Sequence, residues 1–70
     1  MEIDYNASKD ELIRQGLYVS DLIDRAKKES MQTNDPLYAL SLSIEIDRVS
    51  KILTKLRTVY KNKYGTNISK

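Results

Sequence analysis

The stretch 39-ALSLSIEIDRVSKIL-53 decides the fold. Leu42, Ile46, Val49 and Leu53 recur at steps of four and three, and Leu56 and Tyr60 continue the row. That spacing keeps side chains on one face of an α-helix. Yet the stretch holds more apolar residues than one face accommodates. At about 100° per residue, Ile44 points roughly 160–200° away from Leu42 and Ile46. Leu40 and Leu37 share its side, at spacings of four and three. Three apolar residues on the outer face of the first turns need cover. A second copy, the N-terminal tail or a foreign partner could each supply it. Ser43, Asp47, Ser50 and Thr54 make a separate polar stripe beside them.

Boundary signals extend the helix in both directions. Upstream, 31-MQTNDP-36 is a turn-rich break in which Asp35 is a good N-cap and Pro36 a good first helical residue. Downstream, Gly65 is a natural C-cap, so the helix is expected over about 36–64 with a frayed TNISK tail. Before the break lies a second seam: Leu12, Gly16, Val19, Ile23, Ala26 and Ser30. Ser8 and Glu11 stand at capping-box spacing ahead of it, predicting a helix over about 9–30. Gly16 costs about 1 kcal/mol inside a helix, which close approach of another helix would explain. Asp10–Arg14, Asp21–Arg25 and Asp24–Lys28 are opposite charges at i,i+4 on its outer side. Residues 1–7 read as a loose tail.

Two long helices with a short turn at 31–35 predict an all-α fold, an antiparallel hairpin over residues 1–70. A hairpin this short has a modest core. Pairing two copies into a four-helix bundle is the simplest way to enlarge it, so a homodimer is a candidate state.

Composition removes several chemistries. The chain has neither cysteine nor histidine. Disulfides, thiolate nucleophiles, the commonest metal ligand and the commonest neutral-pH base are all lacking. Neither a metal-ligand spacing nor a phosphate-binding glycine loop occurs, and no cofactor is expected. Glu45 and Asp47 lie two residues apart, about 200° around a helix, so they are not a natural acid–base dyad. No apolar run approaches the roughly 20 residues of a membrane span. The acidic, polar start MEIDYNASKDE resembles neither a signal nor a transit peptide, so a cytoplasmic protein is expected.

Charge is uneven along the chain. Met1–Asp47 carries ten acids and five bases, whereas Arg48–Lys70 carries seven bases and no acid. Basic residues late in a helix complement its dipole and can pair with acids on a neighbouring helix. The alternative is nucleic-acid binding, but Lys51, Lys55, Arg57, Lys61 and Lys63 do not share one face.

The pentad Ser43-Ile44-Glu45-Ile46-Asp47, set after an Asp-Pro helix start and within a Leu42/Val49/Leu53 seam, resembles a family signature. The small sporulation-type aspartyl-phosphate phosphatases are two-helix hairpins with Ser-Gln-Glu-Leu-Asp in the second helix. The resemblance covers about residues 9–56. It implies action on the phosphorylated aspartate of a response regulator, with the helix docked over the regulator's acidic, metal-containing pocket. It also implies roles. Asp47 would be the residue activity depends on, with Ser43 and Glu45 in support, and Leu37, Leu40, Ile44 and Arg48 would form the docking surface. The family's amide, suited to orienting a water, is here Ile44, which cannot do so. The departure favours binding over hydrolysis. A shorter resemblance, of 37-LYALSLSIEID-47 to the Leu-Tyr-x-Leu-x-Leu-Ser stretch of short iron-starvation basic proteins, requires a gap before it. A non-enzymatic adaptor or inhibitor using the outer face of the second helix is the competing function.

Overall fold

A computed structural model describes residues 2–65. Helix α1 spans Lys9–Gln32 and helix α2 spans Pro36–Tyr64, with no strand among the described residues. The two helices pack against each other as a hairpin 43 Å in its longest dimension. The frayed-tail reading of TNISK falls outside the described residues.

The caps follow from local chemistry. Ser8 Oγ accepts from Glu11 N at 3.3 Å, which satisfies one of the free amides of the first turn. The reciprocal half of a capping box is replaced by an ion pair, as Glu11 turns to Arg14 at 3.1 Å. The expected Asp10–Arg14 pairing therefore gives way to Glu11–Arg14, while Asp21–Arg25 forms at 3.0 Å. α1 runs two residues past Ser30, because Thr33 N donates to Glu29 O at 3.0 Å and closes one more turn. Asp35 caps α2 through its carboxylate, which accepts from Leu37 N at 3.0 Å and Tyr38 N at 3.4 Å. Gly65 ends α2 with φ of 72°, the left-handed conformation that glycine adopts without a Cβ penalty.

Packing uses both seams. Leu12, Val19 and Ile23 of α1 meet Val49, Leu56 and Tyr60 of α2 in a buried cluster, with Gly16 also buried. Leu42 and Ile46 are half-buried where the core thins toward the turn, and Leu53, between buried Val49 and Leu56, is half-buried as well. Tyr60 stacks obliquely on Tyr64 at 4.9 Å between ring centroids, and Lys9 Nζ lies 5.5 Å from the Tyr64 ring.

The segment before α1 is not a loose tail. Asp4 Oδ1 accepts from Asn6 N at 2.9 Å, and Ala7 N donates to Asp4 O, which folds the chain into a tight turn. Asp4 and Gln15 then bond in both directions: Asp4 N to Gln15 Oε1 at 2.8 Å, and Gln15 Nε2 to Asp4 O at 3.0 Å. Ile3, Tyr5 and Ala7, apolar at alternate positions, pack on the core. Lys55 Nζ lies 4.5 Å from the Tyr5 ring centroid, and Lys63 Nζ donates to Tyr5 O at 3.2 Å. This strap ties α1 to α2 at the open end of the hairpin. Its apolar alternation supplies the core area that two stripes alone lack.

Candidate functional site

Because a helix rotates about 100° per residue, the pentad 43–47 distributes its side chains around α2. Ile46 turns inward and packs on the core. Ile44 turns outward and is 54% exposed, with Leu40 at 59% and Leu37 at 77%. Asp47 and Arg48 are exposed and flank these three, so all five occupy an outer arc about 100° wide. Lys51 and Lys55 continue the arc toward the open end. One face thus presents an apolar centre with the Asp47 carboxylate on one border, Arg48 on the other and lysines beyond it along the helix.

Ser43 is exposed and lies beyond Asp47 on the polar stripe. Farther along, Asp47, Ser50, Lys51 and Thr54 line a shallow depression of about 320 Å³. The Thr54 hydroxyl donates to Ser50 O at 3.0 Å, so it is engaged with its own helix. Ser43 and Asp47 therefore remain the outward polar groups of the stripe.

Glu45 goes elsewhere. Its carboxylate sits on the flank of α2 that borders α1, where Arg48 approaches it at 3.8 Å. Both partners of that pair are more than half exposed, so it contributes little to stability. Of the three polar residues that the resemblance singles out, the fold brings together Ser43 and Asp47 and sets Glu45 apart. Among the described residues, no group of three carboxylates converges as a metal site.

Glu45 belongs instead to a feature that the sequence reading does not contain. Between the helices near the turn runs a groove of about 270 Å³, floored by Leu22, Ile23, Ala26, Leu42, Ile46 and Val49. Arg25, Glu29 and Glu45 stand at its rim. At its turn end the Tyr38 hydroxyl donates to Glu29 Oε1 at 2.9 Å. That acceptor carboxylate holds the Tyr38 phenol above the ordinary tyrosine range, first through the hydrogen bond and then through its charge. The signal for this groove lay beside the seams. Gln15, Leu22 and Glu29, and Tyr38, Glu45 and Ile52, each recur every seven residues on the flank next to the core stripe.

The basic C-terminal half does not form one free surface. Lys55 and Lys63 are both engaged by Tyr5 of the strap. No helix among the described residues is long and apolar enough to cross a membrane. The chain matches no protein-family model, no curated protein and no solved structure.

Proposed function

We propose that this chain is a small regulatory protein of the aspartyl-phosphate phosphatase type that docks α2 on a sporulation-type response regulator in the cytoplasm. In this reading docking is retained and hydrolysis is reduced. The observation that supports it is the outward cluster of Leu37, Leu40 and Ile44 between Asp47 and Arg48. Apolar residues exposed side by side favour a partner surface. The flanking Arg48 and Lys51 complement an acidic pocket rim and would steer association.

The chemistry available on that face is limited. Hydrolysis of an acyl phosphate needs a water held in line with the phosphorus–oxygen bond. Ile44 offers no donor or acceptor for it. Asp47 is the carboxylate on the same arc; it can accept a hydrogen bond from a water but, unlike an amide, has no N–H to donate to it. Glu45 faces the other flank and would reach the same pocket only after a large rotation of the helix.

The test uses a purified sporulation-type regulator labelled on its aspartyl phosphate. Saturable binding is expected, weakened about tenfold or more by Ile44→Asp, as for the loss of a central apolar anchor. Label should be lost at nearly the regulator's own rate. Acceleration abolished by Asp47→Ala would instead make the protein an active phosphatase. Absence of any binding would sink the reading. A second copy of the chain is the competing occupant of the same face. In that case Ile44→Asp lowers the mass seen by sedimentation rather than regulator binding.

A further inference from the structure

We infer that the groove between the helices is a second docking site, on a different face, that takes an extended peptide segment of a partner. The segment carries an aliphatic or aromatic anchor with a lysine or arginine beside it. The inference stands on the groove itself and does not rest on the response-regulator reading.

The chain already shows how this groove is filled. The strap lies along the same flank at the open end, where Gln15 holds the Asp4 backbone and Lys55 covers the Tyr5 ring. Seven residues on from Gln15 is Leu22, and seven further is Glu29. These line the open portion of the groove. On α2, Glu45 stands seven residues before Ile52, which packs with the strap-covered core. The open portion therefore continues an interface that an extended segment with alternating apolar residues occupies at one end. The Tyr38–Glu29 hydrogen bond bounds it at the other.

Size and charge narrow the occupant. A volume of about 270 Å³ lies below the roughly 300–1,000 Å³ typical of small-molecule pockets, so it suits one or two side chains of a passing chain. The floor is aliphatic. Glu29 and Glu45 stand at the rim on the two helices. Glu45 lies 3.8 Å from Arg48, and the third charged rim residue, Arg25, is paired with Asp21 at 3.0 Å. Glu29 is engaged by the neutral Tyr38 hydroxyl, so its charge is not matched by a cation among the described residues and the rim is acidic on balance. A cation next to the anchor would meet that excess negative charge, and an acidic peptide would be repelled by it.

The probe is a fluorescein-labelled hexapeptide, Lys-Ile-Ser-Tyr-Ser-Lys, which keeps the Ile-x-Tyr spacing of Ile3 and Tyr5 and adds lysines. Anisotropy is measured with the full chain. A control with alanine in place of isoleucine and tyrosine should bind about tenfold more weakly. Ala26→Phe, which fills the floor, should weaken the probe by a similar factor. Glu45→Gln, at an exposed rim position that leaves the core intact, should weaken it about threefold and reduce its salt dependence. Methyl resonances of Leu22, Ala26 and Ile46 should shift on titration, and those of Leu40 and Ile44 should not. Equal binding of probe and control, no binding of either, or unchanged binding to folded Ala26→Phe and Glu45→Gln proteins would overturn the inference. So would sedimentation showing a dimer, together with methyl shifts on dilution at Leu22, Ala26 and Ile46, because a second copy of the chain would then already close the groove.

Discussion

Leu56 and Ile44 are aliphatic residues on one helix, about three turns apart, and the fold gives them opposite work. Leu56 has no exposed surface, whereas just over half of Ile44 faces outward. Truncating Leu56 removes apolar contacts and leaves a cavity, a loss of about 2–5 kcal/mol. A core of this size supplies only about 3–5 kcal/mol of net stability. Leu56→Ala should therefore leave most of the chain unfolded at room temperature, as read by circular dichroism and urea titration. Ile44→Ala should change stability by about 0.5 kcal/mol or less, because more than half of its surface is exposed. If Ile44→Ala melts the protein instead, that residue belongs to the core of a dimer. The core and the proposed docking face are thus separable at single positions on α2, which makes Ile44 and Asp47 usable probes of that proposal.

At the scale of the element, each helix is bounded by its own residues and held by the other. α2 has 29 residues, begins on the Asp35 carboxylate and ends at left-handed Gly65. Its isolated stability would still be small, since most helical stability in proteins comes from packing an apolar face. The bond from Tyr38 to Glu29 joins its first turn to the last turns of α1. This link has a pH signature. The bond needs the neutral phenol, so folding raises the Tyr38 pKa above its unfolded value near 10. A group raised in this way adds stability that is complete below the unfolded pKa and is lost as pH rises through the folded one. Wild-type protein should lose stability above about pH 10 more steeply than Tyr38→Phe. Urea midpoints across that range check it, the difference between the two proteins cancelling the other tyrosines. Parallel curves would mean the bond does not form in solution.

At the scale of the whole molecule, the hairpin is a thin scaffold with two distinct surfaces around one core. One side of α2 faces outward with Leu37, Leu40, Ile44, Asp47 and Arg48. One inter-helix flank carries the strap and the open groove. The core lies between the helices and is strongest from Leu12 to Tyr60 at the open end. The solvent-accessible surface is 5237 Å², against about 4,500 Å² for a compact protein of this mass, so little apolar area is held in reserve. The strap matters for that reason. Removing residues 1–7 should cost about 2 kcal/mol, from partial burial of Ile3, Tyr5 and Ala7, and should leave the helices recognisable by circular dichroism. A thermal melt unchanged by the truncation would show that the strap is not docked in solution.

Much of this was legible along the chain. The four–three rows of apolar residues, the Ser8 and Asp35 caps, the Asp-Pro start and the terminal glycine are local signals, and each acts through neighbours within a turn or so. They determined two helices, one turn and which stripes face inward. The outward position of Ile44 follows from the same periodicity. The strap and the groove did not follow, because they depend on residues far apart in sequence. Asp4 meets Gln15, Tyr5 meets Lys55 and Lys63, and Tyr38 meets Glu29 only once the helices are side by side. Glu45 likewise parts from Asp47 in position because packing places one carboxylate at the groove and leaves the other on the open face. Helical rotation sets the angle between them, but only the position of the neighbouring helix decides what each one borders.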